Sequence, residues 1–204
     1  MKRLRLHSQI ALVLFLAVSC TNPETSDSAS YLLFEENVND WYKMGDASWS
    51  FVNNELIGRL DSGSGFVITQ KAYKDFELTV EFKPDSTINS GVFVRCVRKE
   101  ISATECYEIN IWDLHPNQDY RTGAIVTRSE PLAQVETLNK WNTYKINVNG
   151  NRIQAYVNGV LTADLTDDGL VEGYIALQAA GTGEIRFRNV MVKQLNSDPA
   201  RGGR

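Results

Sequence analysis

The sequence predicts an all-β domain built as a two-sheet antiparallel sandwich. Almost every periodic segment repeats at two residues, and two Asn-Gly pairs lie between alternating runs. No stretch after residue 30 keeps an apolar period of 3.6 for three turns. Alternation marks strands with one buried and one wet face, and Asn-Gly supplies the positive φ angles of tight hairpins. Without βα alternation, the two-sheet antiparallel sandwich is the expected architecture.

The chain opens with a basic start, Lys2, Arg3 and Arg5, and a short apolar run from Ile10 to Val18. That run is too short to span a bilayer as a mature helix, so residues 1–20 read as an export signal. Ala17-Val18-Ser19-Cys20 resembles a bacterial lipoprotein box with Cys20 as the lipidated residue, a plain secretory signal being the alternative. Residues 21–30 are polar and aperiodic, as a flexible tether would be. The expected location is the bacterial cell envelope, lipid-anchored in the periplasm or at the outer-membrane surface. Without the signal, 18 basic residues face 25 acidic ones, a net of −7. Such a balance argues against nucleic acid, and leaves the lipid as the one expected membrane contact.

Along the domain, expected over 31–195, "DFELTVEFK" (75–83) sets Phe76, Leu78, Val80 and Phe82 against polar partners. The segment 141–165, with Asn-Gly at 149–150 and 158–159, reads as a three-strand meander. "EIRFRNVMVKQL" (184–195) closes the fold with Ile185 and Phe187 inward and Arg186 and Arg188 outward. Residues 196–204 read as a disordered tail. Cys96 and Cys106 flank nine residues between two strand-like runs, so they either pair across a hairpin or sit as small core residues. His7 and His115 are the only histidines, and His7 falls in the signal, which excludes a multi-histidine zinc site.

The strand "CYEINIWDL" (106–114) is unusual on one side. Tyr107, Ile109 and Ile111 form a core row, whereas Glu108, Asn110 and Trp112 form the other. In "INSGVFVRC" (88–96), inward Val92 and Val94 would place Phe93 and Arg95 on that same second face. A carboxylate, an amide, a guanidinium and an indole together suit a sugar: the ring covers C–H groups and the polar groups take hydroxyls. The alternative is a solvated face with an exposed Arg95–Glu108 pair of small energetic value. Glu108-x-Asn110-x-x-Asp113 superficially resembles a two-carboxylate glycosidase strand, but 108 and 113 differ in parity and Asn110 cannot shuttle a proton.

The order of Trp41, "YKDFELTVEFK", "NSGVFVR", "YEINIWD", "RTGAIV", "WNTYKINVNGNRIQAYVNG" and "GYIALQAAGTGEIRFRNVMVKQL" resembles the 3-keto-disaccharide hydrolase domain family. The resemblance implies a concanavalin- or laminin-G-like jelly roll acting on oxidised glycosides. A ketone at carbon 3 acidifies the hydrogen on carbon 2; a base removes it, the glycosidic oxygen leaves carbon 1, and water adds back. Glu108 then matches the candidate base, and Arg95 the group that steadies the enolate. Asn110, Asp113, Asn89 and Tyr120 are the implied substrate or ion contacts, and Phe93 and Trp112 wall the sugar. A divalent cation on Glu108 and Asp113 is the alternative to Arg95. One departure stands out: the family's Leu-Gln-x-His-Gly is here Leu177-Gln178-Ala179-Ala180-Gly181, and His115, just past the Glu108 strand, is the candidate substitute. Three readings follow: a 3-keto glycoside hydrolase, a non-catalytic carbohydrate-binding lipoprotein, and a laminin-G-like interaction module.

Overall fold

The computed structural model describes residues 29–33 and 41–195. The expected signal, Cys20, most of the tether and the tail lie outside the described residues. Thirteen strands are described: β1 (Tyr31–Leu32), β2 (Tyr42–Gly45), β3 (Ser48–Val52), β4 (Glu55–Leu60), β5 (Ser64–Ile68), β6 (Phe76–Pro84) and β7 (Ile88–Cys96). They continue as β8 (Tyr107–Ile111), β9 (Asn142–Asn149), β10 (Arg152–Val157), β11 (Val160–Thr166), β12 (Tyr174–Gly181) and β13 (Gly183–Gln194). The larger sheet runs β11-β10-β9-β6-β13-β4-β3, with β1 also paired to β13; the smaller runs β2-β5-β12-β7-β8. All named pairings are antiparallel. The fold is a two-sheet jelly-roll sandwich, as the alternation requires.

Period two fills the space between the sheets. Phe76, Leu78, Val80 and Phe82 of β6 meet Val92, Tyr107, Ile109 and Ile111 of the smaller sheet in one apolar core. Each side chain fully buried there contributes about 1.5–3 kcal/mol. Ile185 and Phe187 point into the same core, while Arg186 and Arg188 stay half-buried on the outer face with Glu55 and Glu81.

The meander forms, with one shift. The β10–β11 hairpin turns on Asn158-Gly159, both at positive φ. The β9–β10 hairpin pairs Asn149 with Arg152, so its central residues are Gly150-Asn151, and of these only Gly150 has positive φ. That turn type needs glycine at its first central position, which sets the register one residue later than the Asn-Gly pair suggests.

Candidate functional site

The outer face of the smaller sheet carries two cross-strand rows. Glu108 of β8 lies directly opposite Phe93 of β7, which pairs with Ala176 of β12, which pairs with Ile68 of β5. Beside it, Asn110 pairs with Gly91, and Gln178 of β12 pairs with Phe66 of β5. Phe93 is packed edge-on against Phe66 at 5.5 Å and buried with Ile68, Ala176 and the Cys96 and Cys106 sulfurs. Cys96 and Cys106 form a disulfide across the β7–β8 loop, and Ile101 from that loop packs on the same apolar patch. Phe93 is therefore the floor of the site rather than an open stacking surface.

Glu108 stands at the margin of this patch. A side chain at Gly91 would crowd Phe93 and Glu108 at 3.3–3.4 Å, so the glycine leaves room for the carboxylate to lean over it. Among the described residues the carboxylate has no hydrogen bond and no ion pair. Burial alone raises its pKa from 4.5 to about 7, because no nearby charge or donor favours the ionised form. A half-buried carboxyl poised near neutrality fits a general acid–base group.

Two amides further along the same outer face have unpaired acceptors, Gln178 in the row next to Glu108 and Asn89 one row beyond it. Asn89 of β7 lies opposite Ala180 of β12, and its side-chain oxygen is buried without a partner. Gln178 has an equally orphaned oxygen and is 8% exposed. Buried amide oxygens without partners are uncommon and point toward a bound molecule or water. Gln178 was not among the residues singled out as contacts. The signal was present: it is the one amide in the otherwise apolar run of β12, at the parity of the outer face.

Past β8 the chain turns at once, the His115 amide donating to the Trp112 carbonyl at 3.2 Å while the Trp112 amide donates to Thr122 Oγ1 at 2.8 Å. The Trp112 ring meets His115 at 4.5 Å and His115 meets Tyr120 at 5.6 Å, both edge-on. The imidazole Nδ1 is tied locally to the Asn117 backbone at 2.7 and 3.0 Å. Trp112, His115 and Tyr120 are thus one aromatic cluster at the strand's end. Asn110 shapes this turn: its Nδ2 donates to the Tyr120 carbonyl, and its Oδ1 accepts from the Ile111 amide at 3.0 Å. Both ends of that amide are used within the protein.

Two expected site residues lie elsewhere. The strand expectation that Arg95 shares the face of Phe93 and Glu108 is corrected by a bulge: Phe93 pairs with Ala176 and Cys96 with Tyr174, so Val94 and Arg95 together oppose Ile175. Arg95 adopts φ 53° and turns inward, 1% exposed. Its guanidinium donates to the carbonyls of Lys74 (2.9 Å), Leu170 (3.0 Å) and Gly150 (2.7 Å) and to Asp75 Oδ1 (3.2 Å). It staples both sheets at one end of the sandwich and reaches no part of Glu108's face. The exposed Arg95–Glu108 pair, the alternative reading, is absent for the same reason.

Asp113 is buried, and Thr137 uses both of its oxygens, through its amide at 2.6 Å and its hydroxyl at 2.8 Å. Its parity is opposite to Glu108, and no bulge brings the two carboxylates together. A cation held by Glu108 and Asp113 does not fit this donor set, and among the described residues no three His, Cys, Asp or Glu side chains are arranged around a metal position.

Comparison with known proteins places the fold. A protein of Parabacteroides distasonis, provisionally assigned as a glycosyl hydrolase, is 24% identical over 82% of this chain and 100% of its own, with a TM-score of 0.70. The carbohydrate-binding module CBM66 of Bacillus subtilis is 20% identical over 79% of this chain and 99% of its own (TM-score 0.62). The Bacillus licheniformis beta-glucanase is 18% identical over 85% and 100% (TM-score 0.54). At these identities the likeness is one of fold. No curated protein matches the chain. Residues 30–193 match the model of the 3-keto-alpha-glucoside-1,2-lyase-like domain, and the chain belongs to that family.

Proposed function

We propose that this protein acts on 3-keto glycosides, with Glu108 as the base that removes the proton from carbon 2. One observation carries the reading: Glu108 is an unpaired, half-buried carboxyl whose pKa is raised to about 7. A base of that strength takes a proton from a carbon acidified by a neighbouring ketone and returns it without leaving the neutral range. The Gln178 and Asn89 amides, whose side chains have no partner among the described residues, lie one and two rows along the same face and are available to substrate hydroxyls away from the reacting carbon. Trp112 sits four residues beyond Glu108 on the same parity, about 13 Å along an extended chain. That reach suits a disaccharide or a bulky aglycone better than a single sugar. The envelope tether through Cys20 is part of this proposal and rests on the basic start, the apolar run and the box before Cys20.

A second reading, a carbohydrate-binding domain without turnover, is favoured by one specific observation. With Arg95 bonded inside the sandwich, no cation among the described residues acts on Glu108, so none stands ready there to steady an enolate. Incubating the protein with a 3-keto glucoside and with the unoxidised glucoside separates the two. Aglycone release from the ketone alone supports catalysis. Sugar binding without release supports the second reading, and neither outcome leaves an interaction module.

A further inference from the structure

The opposite side of the sandwich holds a polar depression, on the outer face of the larger sheet. It encloses about 660 Å³ and is lined by Glu77, Asn147, Arg152, Gln154 and Asp168, with Leu195 as an apolar edge. That volume falls within the range of small-molecule sites, about 300–1,000 Å³. Asn147 of β9 forms its centre, paired to Glu77 of β6 on one side and Gln154 of β10 on the other. Its side-chain oxygen is buried and has no hydrogen-bond partner.

Two of the three charged side chains around Asn147 are paired within the protein, and Asp168 keeps its carboxylate charge at the rim. Glu77 pairs with Lys145 at 3.0 Å, Arg152 with Asp164 at 2.5 Å, and Asp168 accepts from Asn151 at 3.0 Å. Gln154 gives one N–H to Asp164 at 3.2 Å, and its carbonyl oxygen keeps no partner among the described residues. What remains to offer a ligand is a set of amide donors and acceptors and the Asp168 carboxylate, beside a small apolar edge. An anionic ligand finds no free cation there among the described lining residues, whereas the hydroxyls of a polyol match the amides and the carboxylate alike.

We infer that this depression is a second, non-catalytic site for a neutral oligosaccharide, with Asn147 and Gln154 as its central contacts. It lies on the other sheet from Glu108, so it binds glycan independently of any chemistry at that residue. Such a site holds a polymer while the opposite face works on a terminal unit, or docks the protein on a glycan surface.

The test is a titration of the full chain, 15N-labelled, with maltotriose and separately with cellotriose to millimolar concentration. The expected result is a shift of the Asn147 and Gln154 side-chain amide signals with one of them, and an affinity at least tenfold weaker in Asn147→Ala. Signals around Glu108 should keep their own response in that variant. Should Asn147→Ala not fold, Gln154→Ala gives the same reading. Stationary Asn147 and Gln154 signals with both sugars overturn the inference, as do shifts that persist unchanged in the variant. Shifts confined to the Glu108 face also overturn it, and leave the proposal for Glu108 intact.

Discussion

Phe93 and Arg95 stand two residues apart on β7 and point to opposite faces of the sheet. Strict alternation would place them together; the bulge at Val94 and Arg95 separates them. Phe93 goes under Glu108, and Arg95 goes between the sheets to carbonyls of three separate segments. Gly173 permits this, since any side chain there would run into the backbone of Arg95 and Cys96.

Arg95 is therefore a stability residue. Arg95→Ala leaves the carbonyls of Lys74, Leu170 and Gly150 without this donor and Asp75 without its ion partner, and empties the space of a side chain that is 1% exposed. The expected loss is about 3–5 kcal/mol of unfolding free energy, read by urea denaturation. A loss under 1 kcal/mol accompanied by weaker sugar binding would return Arg95 to the site.

Glu108 makes stability depend on pH with a definite sign. Its folded pKa of about 7 lies above the unfolded value of 4.5, so the folded chain holds the proton longer. Stability is unaffected below about 4.5, falls as pH rises toward 7, and stays reduced above it. Allowing for partial contact with water, the loss is about 2 kcal/mol. Glu108→Gln should remove it, so melting curves at pH 5 and pH 8 should differ less in the variant than in the wild type. Equal pH dependence in both would show that the carboxyl is not desolvated.

Trp112 is half-buried and edge-on to His115, which leaves part of its ring for a sugar. Trp112→Ala should weaken glycoside binding at least tenfold, an effect of about 1.4 kcal/mol or more, measured by calorimetry. Unchanged affinity would move the binding surface away from the end of β8.

Asp113 holds the Thr137 segment. Asp113→Asn keeps one acceptor and loses the charge-assisted bond, at a cost of about 1–2 kcal/mol in stability. Turnover per folded molecule should stay within a few-fold of wild type. A hundredfold loss of turnover in a fully folded variant would restore a chemical role for this carboxylate.

Strand identity was legible because alternation in β6, β9, β10 and β13 is imposed by burial, which acts residue by residue along an extended chain. Glu108 was legible for the same reason, as a carboxylate where a wet face meets an apolar neighbour. Arg95 was misplaced because a bulge is set by partners distant in sequence, Ile175 across the ladder and the carbonyls that receive the guanidinium, and nothing in "VFVRC" records them. Asn110 was placed on the correct face, but its use by the Tyr120 carbonyl depends on how the chain turns after Asp113. Gln178 was passed over because one amide in an apolar strand acquires meaning only when its neighbours across two strands are known.

The most direct measurement is aglycone release from a 3-keto glucoside as a function of pH, with wild type and Glu108→Gln. The account predicts release from the oxidised sugar alone, rising with pH through about 7 as the carboxyl ionises. It also predicts a fall of about 10²–10⁴-fold in the folded Gln variant. Equal release from the unoxidised glucoside, or a Gln variant within a few-fold of wild type, would contradict it.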